Sequence, residues 1–344
     1  MYPLSHELAQ DIVDRMMKDI PYNINIMNER GVIIGSGDRA RIGSEHRGAL
    51  QALATGRMVE VREDGLAEKK GTNEPIVIGQ ARIGVIGISG SPEEVRPFCS
   101  IVRTTVSLLI EQGMALQSMQ NEANRKKAFL ESLLLHPGLY SQKLRKEALA
   151  YRIDLLLPTA LLHAKGLSPA TLGPGMLLQH PFLPVEDDGV FFFMQDAAEA
   201  RLLAEQLRRS HSGARFSLSR AEPSIAEAHR QAKGAMAVSL ALKAPDPVVS
   251  YDEVEFLVQL AEADIPGTEQ LAAKLEDKES ADLLDTLRTY LHRDGSISAV
   301  SAELNIHRNT LQYRLKRIRD LTGKDPRHLF DLFELAHGLL ALYR

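Results

Sequence analysis

The hydrophobic period of this 344-residue chain changes character along its length, and that constrains its fold more than any other feature. Period-two runs recur in the first third and again in the middle third, each time interleaved with helical spacing. The last ~65 residues carry helical periods alone. Strands grouped twice among helices, followed by helices only, describe an α+β multidomain protein rather than one large core. His136-Pro137-Gly138 interrupts a long helical stretch, so a boundary is expected there. The expected parts are 1–135, 136–277 and 278–344.

In the first part, Ser5 caps a helix reaching Asp19, with Leu8, Ile12, Met16 and Ile20 at i+4 spacing. INIMNERGVIIGSG then reads as strand, turn and strand, with the turn at Glu29-Arg30-Gly31. A helix from about Ser44 to Thr55 ends at Gly56. The short strand VEVRE and the hairpin EPIVIGQARIGVIGISG follow, with Gly79 near the turn. Gly84 and Gly87 interrupt its last strand, as at a bulge or where a ligand comes close. Ser91 and Pro92 open another helix. It is expected to resume after Pro97 and continue towards Leu135. Val102, Val106, Leu109, Gly113 and Leu116 follow 4-3-4-3 spacing, which suits a homodimer seam. The same stripe also suits packing on the chain's own sheet.

The middle part offers a helix at Ser141–Tyr151, strands at ALLHAKG, GVFFFMQD, ARFSLSR and VVSYDE, and helices at Ala197–Arg209 and Ser224–Leu242. This order predicts a small α+β sandwich.

Charge and composition narrow the function. A net charge of −4 excludes a chain coated in basic residues, so nucleic-acid contact needs a local patch. The single cysteine, Cys99, permits neither an internal disulfide nor a cysteine metal cage and fits a reducing cytoplasm. It reads as a buried structural thiol. The start MYPLSHELAQDIVDRM has acids where a secretory signal has an apolar run, and no stretch reaches the ~18 apolar residues of a membrane span. There is no P-loop, GxSxG elbow or HExxH. Asp187 and Asp188 are adjacent acids before a strand and read as a turn rather than a metal pair. His307 and His328 lack metal-ligand spacing. No metal, cofactor or catalytic residue is expected.

The strongest local signal is DGSISAVSAELNIHRNTLQYRLKRIRDLTG. Ser296 caps a short helix carrying Ile297, Val300 and Leu304 on one side. Asn305 tolerates the left-handed conformation of a tight turn. Ile306 is buried at that turn, and His307 or Arg308 opens a second helix whose inner face is Leu311, Leu315 and Ile318. The opposite face carries Asn309, Tyr313, Lys316 and Arg317, with Gln312 at its edge. From Asn305 to Arg319 there are five Arg/Lys and no acid. Two helices joined tightly, the second basic outside, make a helix-turn-helix for the major groove of double-stranded DNA. Arg308 suits guanine, Asn309 and Gln312 adenine, and Thr310 a thymine methyl or a phosphate. Arg314, Lys316, Arg317 and Arg319 suit phosphates.

HRNTLQYRLKRIRDLTG resembles the terminal helix-turn-helix of regulators related to the purine catabolism activator, and FDLFELAHGLLAL resembles that family's closing helix. LAQDIVDRMMKDIPYNINIMNERGVIIGSGDRARIGSEHRGAL resembles the sugar diacid recognition domain of carbohydrate diacid regulators. The resemblance implies a transcriptional regulator, typically an activator, of genes for glycerate, galactarate or glucarate use. It also implies a PAS-like sensor domain, a degenerate cyclase-like middle domain and a C-terminal all-α reader. A working cyclase shows a GG(D/E)EF hairpin, where this chain has PVEDDGVFFFM.

Residue chemistry agrees with a small hydroxy acid or sugar diacid as effector. The turn amides and hydroxyl of Gly35, Ser36, Gly37 and Asp38 suit a carboxylate. Arg39 or Arg41 suits a bidentate clamp. Ile42, Gly43 and Ser44 lead into a helix whose amino end favours an anion, and His46 lies in its first turns. Asp38 would repel a carboxylate, so it bonds a ligand hydroxyl or locks the loop. Gly71-Thr72-Asn73 and the Gly84–Gly87 strand form a candidate opposite wall. Two rival readings remain: a nucleotide-processing enzyme using the middle domain, and a constitutive DNA-binding protein whose first domain only dimerises.

Overall fold

The run INIMN becomes strand β1 (Ile24–Asn28), and its alternation decides what covers each face of the first sheet. The computed structural model describes residues 4–65, 68–173, 175, 179–185, 189–275 and 281–343. They fall into two units, 1–124 and 125–344.

In the first unit, β1 pairs with β2 (Ile33–Ser36) and β5 (Ala81–Ser89), and β5 pairs with β4 (Gly71–Ile78), which pairs with β3 (Val59–Val61). All pairings are antiparallel, in the order β2-β1-β5-β4-β3. Ile24, Ile26, Ile86 and Ile88 form one core with Ile12 and Val13 of helix α1 (His6–Met16) and with Val102, Val106 and Ile110 of helix α3 (Pro92–Leu134). Met27, Ile33 and Val85 point the other way, onto Ala49 and Ala52 of helix α2 (Arg47–Thr55). Gly35 lets α1 come close, since a Cβ there would stand 2.8 Å from the Ala9 carbonyl.

Three local expectations change. Helix α2 begins at Arg47 rather than near Ser44, because Glu45 bridges to Val32 and His46 becomes the N-cap. Helix α3 runs unbroken through Pro97. That proline lies in the second turn, where it forfeits a single i→i−4 bond. Val102 and Val106 of the 4-3-4-3 stripe are buried on this unit's own core, and Leu8 lies 3.2 Å from where a Cβ on Gly113 would stand. Leu116 is exposed.

In the second unit, β6 (Ala160–Lys165) is central between β8 (Gly189–Met194) and β9 (Arg215–Leu218), with β7 (Phe182–Val185) and β10 (Val248–Ser250) outside. Only β10–β9 is parallel. Leu162, Ala164, Phe192 and Phe216 pack beneath α5 (Ala197–Ser210). Leu161, Phe191 and Phe193 face α4 (Gln142–Ala150), α6 (Ile225–Ala241) and the end of α3. Strand β7 was not legible as a strand: FLPV is four residues long and contains Pro184, which only an edge position accepts. VVSYDE is a strand for three residues only. Helix α7 (Tyr251–Glu262) starts behind it with a Ser250–Glu253 capping box.

Helices α8 (Glu269–Ala273), α9 (Ala281–His292), α10 (Ile297–Glu303), α11 (Arg308–Thr322) and α12 (Leu329–Ala341) complete the unit. Leu287, Val300, Leu311, Leu315, Ile318, Leu335 and Leu339 make their shared core. No described helix is long and apolar enough to cross a membrane.

Two imidazoles on the α6 side of this sheet give a pH prediction. Burial, then the charges of Lys165, His229 and Lys233, lower His163 to about 3. Burial and Lys233 lower His229 to about 4. A free imidazole titrates near 6.5, so the unfolded chain gains protons first as pH falls. Stability is therefore lost as pH drops from about 6.5 towards 3. Thermal melts across that range should show a falling Tm, with a shallower fall for a His163→Gln, His229→Gln double variant. Equal slopes would refute the assignment.

Candidate effector pocket and nucleic-acid interface

A polar row crosses the first sheet on the face shared with α2. In register, Ser36 pairs with Asn25, Asn25 with Gly87, and Gly87 with Asn73. Ser36, Asn25 and Asn73 are all buried. The Ser36 hydroxyl donates to Asn25 Oδ1 at 2.7 Å. Gly87 leaves a gap between the two asparagines, since a Cβ there would stand 3.0 Å from Asn73 Oδ1. Asn73 Nδ2 also lies 2.7 Å from where a Cβ on Gly48 would stand, so the start of α2 comes down onto this row.

His46, the N-cap of α2, and the two charged residues that act on it, Arg41 and Glu68, have unmet demands. Arg41 Nη1, His46 Nδ1 and Glu68 Oε1 are each buried and have no hydrogen-bond partner among the described residues. Burial lowers the His46 pKa most. The Arg41 charge lowers it further, and the Glu68 charge acts in the opposite direction. Buried polar atoms are nearly always paired, because leaving one unpaired costs about 1–3 kcal/mol. Two of these atoms belong to residues whose charges act on the His46 imidazole, and the third is on that ring.

The preceding loop plays a different part. The Ser36 N–H donates to Gln10 Oε1, the Gly37 N–H to the Ile24 carbonyl and the Asp38 N–H to Ser36 Oγ. Those amides are occupied within the protein. Asp38 caps the 3-10 turn Arg39–Arg41 by accepting from the Ala40 N–H, and lies 3.9 Å from Lys69. Arg39 pairs with Asp14 at 3.1 Å on the surface, which leaves Arg41 as the inward arginine. Ile42 is at the surface. Gly43 has φ +87° and donates to the Ile33 carbonyl, a turn that brings the chain back to place His46. Sequence reasoning passed over Glu68 and Asn25. Glu68 sits in an irregular stretch where a charge carries no positional signal, while Asn25 breaks the apolar run of β1 visibly.

The helix-turn-helix is built locally. Helix α10 is capped at its C-terminus by Leu304, and Asn305 takes φ +52°, the left-handed conformation expected of it. His307 is the N-cap of α11, its Nδ1 accepting from the Asn309 N–H at 3.2 Å. Ile306 is half-buried against the helical core. Arg308, Asn309, Thr310, Tyr313, Lys316 and Arg317 are exposed, and Gln312 is half-buried. Among the described residues, Arg308 and Lys316 have no carboxylate within 4 Å, and Arg317 donates to the Tyr313 hydroxyl at 3.4 Å. Arg314 instead reaches back to α9, donating to Asp282 at 2.7 Å and to Thr286 at 3.3 Å. Arg319 lies within 3.4 Å of Asp320 and 3.7 Å of Asp325.

Cys99 is buried beside the Thr72 hydroxyl at 2.8 Å, and burial raises its pKa. Thr72 thus faces α3 while Asn73 faces α2. Asp187 and Asp188 lie outside the described residues. Among the described residues, no group of three or more His, Cys, Asp or Glu side chains is arranged to hold a metal ion.

Residues 4–133 match the domain family described as "Putative sugar diacid recognition". Residues 283–341 match the C-terminal helix-turn-helix domain of PucR-type proteins. The carbohydrate diacid regulator of Escherichia coli K12 is 30% identical over 361 aligned positions, covering 94% of each chain. An uncharacterized protein of Haemophilus influenzae is 28% identical, covering 96% of this chain and 97% of its own. A solved regulator of polyketide synthase expression from Bifidobacterium adolescentis covers 64% of this chain and 93% of its own at 18% identity, with a TM-score of 0.29.

Proposed function

The chain belongs to the carbohydrate diacid regulator family, and from that premise we propose that it is a ligand-responsive, DNA-binding transcriptional activator of genes for sugar diacid or glycerate use. The observation that carries the ligand-gated reading is the set of buried, unpartnered groups on Arg41, His46 and Glu68 above the Asn73–Gly87 floor. A small hydroxy acid such as glycerate, glucarate or galactarate has the complementary chemistry. Its carboxylate meets the Arg41 guanidinium. Its hydroxyls donate to Glu68 and to the neutral His46 ring, and Asn73 offers both a donor and an acceptor. Ser36, Gly37, Asp38, Ile42 and Gly43 shape the loop that delivers Arg41 and His46.

The remaining parts follow from the same reading. The protein works in the cytoplasm as a homodimer, because one helix-turn-helix reads too few base pairs for specificity. Residues 1–135 act as a PAS-like sensor, 136–277 as a cyclase-like transmission domain without catalysis, and 278–344 as the DNA reader. Ligand binding favours one arrangement of the sensor and, through linkage, one placing of the two recognition helices. His307, Arg308, Asn309, Thr310, Gln312 and Tyr313 face bases or the groove wall, while Lys316 and Arg317 meet phosphates. Arg314 positions α11 through Asp282.

Arg308 tests the DNA half of the proposal. It opens α11, is exposed and has no carboxylate partner among the described residues. Arg308→Ala should weaken operator binding by about 1–3 kcal/mol and relax base preference at one position of each half-site. Lys316→Ala should weaken all sequences alike and lower the salt slope by about 1. An Arg308→Ala isotherm identical to wild type would remove the base-contact assignment.

A further inference from the structure

The second unit holds a cavity that the ligand-gated reading leaves unused. It has a volume of about 360 Å³ and lies between the α6-side face of the second sheet and α6 itself. Its wall is a run of rings. His163 of β6 stacks on Phe191 of β8 with centroids 4.3 Å apart, and His229 of α6 meets the same Phe191 edge-on at 4.9 Å. Lys165 and Lys233 line the cavity, and among the described residues no Asp or Glu lines it. His163 Nδ1 is buried and has no partner among the described residues. Valine, methionine, alanine and leucine side chains supply the rest of the lining, together with Tyr343 from the end of the helical module. A second cavity of about 600 Å³ shares His229, Lys233 and Tyr343 with the first.

We propose that this cavity is a second ligand site, separate from the sensor pocket, which takes a compact organic anion bearing a carboxylate or a phosphate. Two lysines supply the charge. Neutral imidazoles offer both a donor and an acceptor, so they can bond an anion or an adjoining hydroxyl without adding charge of their own. Unpaired His163 Nδ1 is the atom that needs such a partner. The rings and aliphatic groups form the inner wall, against which the body of the ligand packs while the lysines meet its charge.

The site also touches the DNA-reading module. The Tyr343 hydroxyl accepts from Arg288 Nη2 at 2.8 Å. Arg288, buried on α9, also donates to the Ala241 carbonyl at the end of α6 and to Asp285. A ligand seated against Tyr343 therefore bears on the contact that ties α6 to the helix carrying Asp282, the partner of Arg314.

The test uses the full chain with imidazole-labelled histidine and two probes, inorganic pyrophosphate and citrate. Either probe should move the His163 and His229 resonances saturably, and a Lys165→Ala, Lys233→Ala double variant should bind at least tenfold more weakly. Lys233 is exposed and Lys165 half-buried, and a thermal melt of the double variant checks that it folds. A response to pyrophosphate alone identifies a phosphate ligand, and a response to citrate alone a carboxylate. Arg41→Ala should leave the response intact, which separates this site from the sensor pocket. No movement with either probe, or equal binding by the double variant, overturns the proposal.

Discussion

Arg41→Ala should abolish the response to a small hydroxy acid while leaving DNA binding without ligand unchanged. The guanidinium is the inward cation of the proposed sensor pocket, and it has a buried nitrogen with no partner among the described residues. Removing one partner of a buried, charge-assisted contact costs about 2–5 kcal/mol, so ligand affinity should fall by roughly 30-fold or more. Calorimetry of wild type and variant with glycerate, glucarate and galactarate measures this. The same geometry fixes a control. Truncating a side chain with an unmet buried donor removes a penalty in the empty protein, so the variant should melt no lower than wild type. A variant that binds ligand as wild type does would move the anion clamp elsewhere.

Leu315→Ala should be the most damaging substitution in the DNA reader. Leu315 is fully buried between Leu311 and Ile318 on the inner face of α11, in a core that also takes in α9 and α12. Deleting a buried leucine to alanine costs about 2–5 kcal/mol. Operator binding should be lost, because α11 then no longer holds its face at a fixed angle. Ligand binding by the first unit should persist, since the sensor core shares no residue with this one. Loss of ligand binding in the same variant would show that the two cores do not stand independently.

The sequence carried those features that short-range chemistry determines. Asn305 announced its own left-handed turn, and Gly56 and Gly323 ended their helices in the same conformation. The period change at INIMN marked β1, and the i, i+4, i+7 spacing of Leu311, Leu315 and Ile318 marked the buried face of α11. What escaped depends on partners far away in the chain. Arg314 reads as one basic residue among five, yet Asp282, 32 positions earlier, draws it off the open face. The 4-3-4-3 stripe of α3 looks the same whether it meets a second helix or its own sheet. Only the packing of Val102 and Val106 beside Ile12 and Val13 assigns its first half to the sheet.

The candidate pocket divides in the same way. Arg41 and His46 were legible because a glycine-rich turn and a helix start bracket them. The loop amides around Ser36 suggested an anion cradle, but Gln10, Ile24 and the Ser36 hydroxyl take them up. Glu68 came to light only through its unpaired oxygen and its effect on His46.

Ligand gating is tested most directly by measuring operator affinity of the full chain at rising concentrations of glycerate, glucarate and galactarate, and ligand affinity with and without operator. Coupling of about 1–3 kcal/mol is expected, which is a 5- to 150-fold change in operator affinity with one of the three acids. Operator must change the affinity for that acid by the same factor. Operator affinity that stays constant while an acid binds, or no binding of any of the three, would contradict a sensor that controls this DNA reader.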